Sequence, residues 1–252
     1  MIQNKRVLAF IPAKTGSVGL PGKLFKKIGG YTLLEWTLYA AYKSKYIDEI
    51  IVSSNDLEIK KLVSSFVSNI CFEYVLDKKI KFLQRPDNLC SPTSKTEDAV
   101  FHMFEADPSL KSYDHLIMLQ ATSPARRNNL IDSCFNEFEK HSKSFPNKCS
   151  LITVEESTPF YWKYKDNDCS NGVPMYSLLD RPMRQELLKS DMMYKDNGNI
   201  YITDIQLFLT TKTRVSENAY LFLTNKFESM QVDTLEDFEI MSKLYEYYGG
   251  FL

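Results

Sequence analysis

The chain has 252 residues, enough to bury a large core, with 44% hydrophobic and 25% charged residues, as in ordinary folded proteins. Lysine plus arginine number 31 against 32 aspartate plus glutamate, which leaves a net charge of −1. That balance argues against a general nucleic-acid binder, and no apolar run approaches the length of a membrane span.

The first element is a buried strand over Arg6–Ile11, too short and too abruptly stopped at Pro12 for a signal-peptide core. After a Gly-rich loop, Leu34, Leu38 and Ala41 mark a helix with one apolar stripe. Glu49–Ser53 reads as a second buried strand, and Asp56 caps a helix carrying Ile59, Leu62, Val63 and Phe66. A third strand is expected at Cys71–Val75, followed by a long connection through Arg85 and Pro86. Ser94 and Glu97 form a capping-box pattern that opens the helix of Val100, Met103 and Phe104.

His115–Leu119 is the next strand, Leu130–Phe138 a helix, and Ser150–Val154 a further strand. From Thr158 to Asn197 the chain turns rich in tyrosine and charge, loses clean periodicity, and reads as an excursion from the sheet. Strands return at Asn199–Thr203 and Tyr220–Leu223, and a last helix from Thr234 carries Phe238, Met241, Leu244 and Tyr245 on one face. Strands alternating with helices predict an α/β fold: a mostly parallel, Rossmann-like sheet with helices on both faces.

The five cysteines, Cys71, Cys90, Cys134, Cys149 and Cys169, include no CxxC pair. They are expected to be reduced and mostly buried thiols in a cytoplasmic protein rather than zinc ligands or a redox pair. The three histidines, His102, His115 and His141, have no metal-like spacing and receive no catalytic role.

The loop from Pro12 to Lys23 carries the chemistry. Gly16, Gly19 and Gly22 allow tight bends that turn several amides toward one anion, Ser17 offers a hydroxyl, and Lys14 and Lys23 supply two charges. It follows a buried strand directly, where open α/β sheets place ligands. A Walker A loop is excluded, because Ser17 stands where a glycine is required and Leu24 follows the lysine; the dinucleotide GxGxxG is absent as well. A plain connecting loop is the competing reading.

Ile11-Pro12-Ala13-Lys14 through Lys23 resembles the loop of the acylneuraminate cytidylyltransferases, the CMP-sialic acid synthetase family. Leu83-Gln84-Arg85-Pro86 with Leu89, Leu119-Gln120-Ala121-Thr122-Ser123-Pro124-Ala125-Arg126, Asn197-Gly198-Asn199-Ile200-Tyr201 and Val232-Asp233-Thr234 recur in that family's order. The resemblance implies one nucleotidyltransferase domain over residues 1–252, of the nucleotide-diphospho-sugar transferase type, with 158–197 a protruding dimerisation arm. It implies transfer of CMP from CTP to the anomeric hydroxyl of an acidic 2-keto sugar, with Mg²⁺ as cofactor and release of pyrophosphate.

By the same resemblance Lys14, Ser17 and Lys23 hold the triphosphate, while Arg85, Ser94 and Thr96 meet the nucleotide. Gln120 binds the sugar, Thr122 and Ser123 shape that edge, and Arg126 adds positive charge. Tyr201 lines the sugar pocket and Asp233 binds the metal. Family members are dimers, so Arg184 and Lys195 are expected to reach the sugar carboxylate in the neighbouring subunit. Asp237 is read as serving the last helix rather than the metal.

Five positions depart from the family, two of them Ala121 and Ala125, which stand where its motif usually has proline and leucine. Lys14 stands where most members have arginine, Val18 replaces a frequent lysine, and Gln231 is neutral where a second acidic metal ligand is common. These departures keep open a legionaminate, a pseudaminate, an eight-carbon keto-deoxy acid, another nucleotide, or a non-catalytic nucleotide-binding protein.

Overall fold

In the computed structural model, which describes residues 5–73, 78–127, 129–146, 148–165, 167 and 169–251, the apolar run after Arg6 forms strand β1 (Val7–Pro12). A short hairpin of β2 (Lys27–Ile28) and β3 (Tyr31–Thr32) leads into α1 (Leu33–Lys43). Thr32 and Glu35 close a reciprocal capping box at that helix start. Strand β4 (Glu49–Ser54) is buried throughout, and the Asp56 carboxylate accepts the Glu58 amide at the head of α2 (Leu57–Glu73).

Next come β5 (Lys79–Gln84), α3 (Thr96–Ala106), β6 (His115–Leu119) and α4 (Leu130–Ser142). Strand β7 (Cys149–Ser157) precedes a small hairpin of β8 (Trp162–Tyr164) and β9 (Gly172–Pro174). The chain then re-enters through β10 (Met193–Asp204) and α5 (Ile205–Thr211), and finishes with β11 (Asn218–Leu223), α6 (Lys226–Ser229) and α7 (Leu235–Tyr248).

The seven-stranded sheet has the order β11-β7-β10-β6-β1-β4-β5. Every neighbouring pair is parallel except those of β10, which runs against both β6 and β7. Alternation along β1 divides the core. Val7, Ala9 and Ile11 face α1, α2 and α4, whereas Leu8 and Phe10 face α3 and α5. A third cluster of Leu20, Ile28, Trp36, Val232, Met241 and Phe251 packs α7 beside the loop that follows β1.

This order makes a switch point. From β1 the chain moves outward to β4 and β5, then returns to place β6 on the opposite side of β1. The loops after β1 and β6 therefore diverge and leave a crevice at the carboxyl ends of the strands.

Two sequence expectations need correction. The proposed strand at Cys71–Val75 is not one, because α2 continues to Glu73; residues 74–77 lie outside the described residues. The spacing of the buried residues Ile59, Val63, Phe66 and Ile70 is helical, and it carries the helix past the point where Cys71 and Phe72 suggest a strand. The third parallel strand is β5.

The excursion also ends earlier than Asn197. Met193–Asp196 already pair with β7, against Ser157 through Val154, so the root of the excursion is a two-stranded extension of the main sheet. Beyond it lies the hairpin β8–β9, with Trp162, Tyr164, Leu179 and Leu188 exposed.

Candidate active site

The crevice at the ends of β1, β5, β6 and β10 is a cleft of about 330 Å³. Of the fourteen residues that the sequence proposes for the site, ten line it: Lys14, Ser17, Lys23, Arg85, Ser94, Thr96, Gln120, Thr122, Tyr201 and Asp233. They arrive from five separate stretches of chain.

The loop after β1 bends at Gly16 (φ 90°) and Gly22 (φ 64°), where L-residues with side chains are strained. Gly19 matters for another reason. A Cβ there would lie 2.6 Å from the backbone oxygen of Asp233, so only glycine lets the loop lie against that residue. The Lys14 ammonium is 2.9 Å from the carbonyl oxygen of Ser91. Lys23 Nζ sits 2.7 Å from Asp233 Oδ1, with the lysine side chain 13% and the aspartate side chain 57% exposed.

Arg85 follows β5 and is buried, not a surface residue in a salt bridge. Its Nε donates to Ser53 Oγ at 3.1 Å and its Nη2 to the Ser53 carbonyl at 2.8 Å. Burial lowers its pKa, an effect that Cys90 partly offsets. The capping box expected of Ser94 does not form. Helix α3 begins at Thr96 without a side-chain cap, and the Ser94 hydroxyl instead meets Ser91 Oγ at 2.7 Å and the Asn88 carbonyl at 3.3 Å. That helix start therefore leaves its first amides without a side-chain cap, and Ser94, Lys95 and Thr96 beside it line the cleft.

Tyr201 serves both the core and the cleft. It is 6% exposed, it packs with the β1 and α3 side chains, and its hydroxyl donates to the Asp196 carboxylate at 3.0 Å. Burial and then the Asp196 charge raise its pKa, so it stays protonated at neutral pH. Behind the ring, the Arg214 guanidinium lies 5.0 Å from its centroid and is held by Glu97 at 2.7 Å.

Four predicted residues lie outside the cleft. Ser123 is fully buried, and its amide closes a turn on the Gln120 carbonyl at 3.2 Å. Helix α4 starts only at Leu130, six residues after Pro124. Arg126 is 1% exposed and points beneath the floor instead of into the cleft. It donates to Thr37 Oγ1 at 2.9 Å, to the Gln120 carbonyl at 2.8 Å and to the Asn199 carbonyl at 3.2 Å. Burial lowers its pKa to about 9, which leaves it charged at neutral pH. Lys195 lines an adjoining recess of about 560 Å³ that shares Gln231 and Asp233 with the cleft. Arg184 stands exposed on the excursion, in a short 3₁₀ turn away from the cleft.

The structure adds Lys95, Gly198 and Gln231 to the lining. Lys95 lies between two residues already proposed, and its position before an uncapped helix was the available signal. Gln231 reaches the cleft because its amide Nε2 donates to the Asn197 carbonyl, against Gly198. The lining then holds four cations, Lys14, Lys23, Arg85 and Lys95, against one carboxylate, Asp233. In a protein of net charge −1 this is a locally positive patch, the kind of surface that suits a polyanion.

Asp237 does what its helix needs. It accepts from the amides of Asp233 and Thr234 at 3.0 and 2.8 Å, while Thr234 Oγ1 accepts from the Asp237 amide. No group of three His, Cys, Asp or Glu side chains among the described residues could hold a metal by itself. Asp233 has an exposed carboxylate at the cleft mouth, with Lys23 as its side-chain partner. That donor set fits a cation such as Mg²⁺, which keeps most of its ligands as water and phosphate oxygens. Among the described residues Cys134 and Cys149 are buried, Cys90 is half-buried and Cys169 is exposed, all as free thiols. No helix among those residues is long and apolar enough to cross a membrane.

Known proteins place the chain. It is similar to the CMP-N,N'-diacetyllegionaminic acid synthase of Legionella pneumophila, with 27% identity over 96% of this chain and 97% of that one. It is 25% identical to a pseudaminic acid cytidylyltransferase of Campylobacter jejuni, over 95% of this chain and 96% of the relative. An N-acylneuraminate cytidylyltransferase of Escherichia coli is 23% identical over 93% of this chain, which spans about half (51%) of that relative's length.

Among solved structures, a CMP:2-keto-3-deoxy-manno-octonic acid synthetase complexed with CTP shares the fold, with a TM-score of 0.65 at 15% identity, covering 97% of this chain and 100% of the other. A 4-diphosphocytidyl-2C-methyl-D-erythritol synthase of Anaerococcus prevotii does so with a TM-score of 0.62 at 17% identity, covering 96% and 99% of the two chains. The sequence profile of the cytidylyltransferases matches residues 8–160, more than half of the chain, from the second residue of β1 to beyond the end of β7. The chain belongs to the cytidylyltransferase family and is a nucleotidyltransferase enzyme.

Proposed function

We propose that the enzyme transfers CMP from CTP to the anomeric hydroxyl of an acidic nine-carbon keto sugar, a nonulosonate of the sialic-acid kind, with release of pyrophosphate. The observation that carries this reading is the cleft itself, where four cations meet one carboxylate beside the polar groups of Gln120 and Tyr201. In the reaction the sugar hydroxyl gives up its proton to solvent and its oxygen bonds to the α-phosphorus, while the bond from that phosphorus to the departing pyrophosphate breaks. Such a transfer needs positioning and neutralisation of charge more than covalent help from the protein.

In this reading Lys14, Ser17 and Lys23 hold the triphosphate, with Lys95 and the α3 amides on its other flank. Arg85 is braced by Ser53 to face the nucleotide. Gln120 and Tyr201 orient the sugar; Tyr201 acts as a fixed hydrogen-bonding wall, since its raised pKa unsuits it as a base. Asp233 would hold Mg²⁺, which when bound offsets phosphate charge and lowers the pKa of a coordinated hydroxyl. Arg126 supports the floor instead of touching the sugar.

The excursion is proposed as the dimerisation arm, bringing Arg184, and Lys195 at its root, to the sugar carboxylate of a second copy. Its exposed Trp162, Tyr164, Leu179 and Leu188 support burial against a partner. A CTP-consuming enzyme with free thiols also supports a cytoplasmic setting.

Relatives named for legionaminic, pseudaminic and N-acylneuraminic acids support the class of sugar and favour no one member. The test is pyrophosphate release from CTP, UTP and ATP with N-acetylneuraminate, a diacetyl-legionaminate, a pseudaminate and an eight-carbon keto-deoxy acid. Release confined to CTP and a nine-carbon acid is expected. Release only with the eight-carbon acid or with another nucleotide overturns the proposal.

A further inference from the structure

Three of the four cleft cations, Lys14, Arg85 and Lys23, rest on internal partners, and the partners differ in kind. Lys14 rests on the neutral carbonyl of Ser91, and Arg85 on the hydroxyl and carbonyl of Ser53. Lys23 rests on an acid, with its Nζ 2.7 Å from Asp233 Oδ1. The positive charge best placed for a phosphate is therefore spent on the one carboxylate best placed for a metal.

The two ends of this pair are not equally free. The Asp233 backbone is fixed on three sides: its amide donates to Asp237 Oδ2, its oxygen abuts Gly19, and the preceding Val232 amide donates to the Thr122 carbonyl at 2.8 Å. Lys23 has four flexible methylenes and an ammonium that a phosphate group can draw away. A divalent cation bound at Asp233 in the resting site lies beside the Lys23 ammonium, and like charges at such separations repel. A triphosphate that takes Lys23 without a metal leaves a bare carboxylate beside its own negative charge.

We infer that Lys23 is the resting counter-ion of Asp233 and that the site loads by exchange, Lys23 passing to the polyphosphate as Asp233 passes to the divalent cation. Nucleotide and cation then promote one another's binding, as linkage requires of two ligands that compete with the same internal pair. This rests on the proposed roles of Lys23 and Asp233.

The test is calorimetric titration of CTP in the presence of EDTA into the wild type, Lys23→Gln, Asp233→Asn and the double variant, with melting curves to show that all four are folded. Asp233→Asn is expected to tighten metal-free CTP in both backgrounds, because it removes a negative charge beside the phosphates. With exchange, the tightening is greater when Lys23 is present, by about three- to fivefold, the worth of a partly exposed ion pair. Equal tightening in the two backgrounds overturns the exchange while leaving the CTP site intact. No CTP binding by the folded wild type, with or without Mg²⁺, overturns the proposed function and the exchange together.

Discussion

The backbone amide of Val232 donates to the carbonyl oxygen of Thr122 at 2.8 Å, joining the turn after β6 to the segment before α7. This single hydrogen bond fixes the spacing between Gln120, two residues before Thr122, and Asp233, one residue after Val232. Both line the cleft, and neither depends on the excursion for its position.

The loop after β1 is pressed against the same segment, so it should tolerate no added bulk at Gly19. A Cβ there would meet the Asp233 oxygen at 2.6 Å, and relief requires a backbone shift. We expect Gly19→Ala to lower kcat/KM by about tenfold or more, since small displacements of positioning groups carry penalties of that size or larger. Steady-state kinetics with a melting curve checks this; an unchanged rate would show that the loop moves without consequence.

Arg126 should separate stability from binding. Each acceptor of its guanidinium keeps a second hydrogen bond. The Gln120 carbonyl has the Ser123 amide, the Asn199 carbonyl has the Gln120 amide, and Thr37 Oγ1 reaches the Leu33 carbonyl. Removing a buried donor costs least where its acceptors keep another partner. Arg126→Met is expected to change unfolding free energy by less than about 2 kcal/mol in urea titrations. It should weaken CTP binding by about tenfold, because a positive charge leaves the poorly screened floor of the cleft.

Asp233→Ala tests the metal ligand. Helix α7 keeps the Thr234–Asp237 cap, so the melting temperature should move little. Metal-dependent turnover should fall by about a hundredfold or more, the usual scale for losing one group that stabilises developing charge. Full activity would show that Asp233 serves only as the counter-ion of Lys23.

Glu228 gives a pH dependence with a definite sign. Its side chain is 2% exposed and paired with Arg127 at 2.8 Å; burial raises its pKa above 4.5, against the pull of Arg127. The folded state therefore holds this proton at higher pH than the unfolded state does. The ionised group costs stability at neutral pH, and that cost fades as pH falls through the raised value toward 4.5. In urea titrations Glu228→Gln should be the more stable protein at pH 8, with the difference shrinking towards pH 5. A difference that grows on acidification would contradict this account.

Much of this site was legible because its residues sit just past buried strands, whose apolar runs are easy to find. Lys14 and Gln120 each follow such a run, whereas Arg85 follows β5, whose alternating and only partly buried residues hid the strand inside an expected connection. Arg126 was misread because arginine is rarely buried, and nothing in the sequence signals that the guanidinium turns under the floor. Cys71–Val75 was misread because a short apolar stretch at the end of a helix looks the same as a strand. The first residues of β10 were missed because Met193–Asp196 are all exposed, with no buried face to alternate, and the register shift between Asp196 and Tyr201 separates them from the buried part of the strand.

Strand β10 also has a mechanical consequence. One continuous strand carries the root of the excursion at Met193 and the cleft wall at Tyr201. It is hydrogen-bonded to β7 along both halves and to β6 along its second half. Such a strand behaves as a strut: a load applied at the excursion reaches Tyr201 along the backbone, with the irregular stretch between Asp196 and Tyr201 as its one compliant joint. A load on the excursion therefore reaches a wall of the active site through that joint.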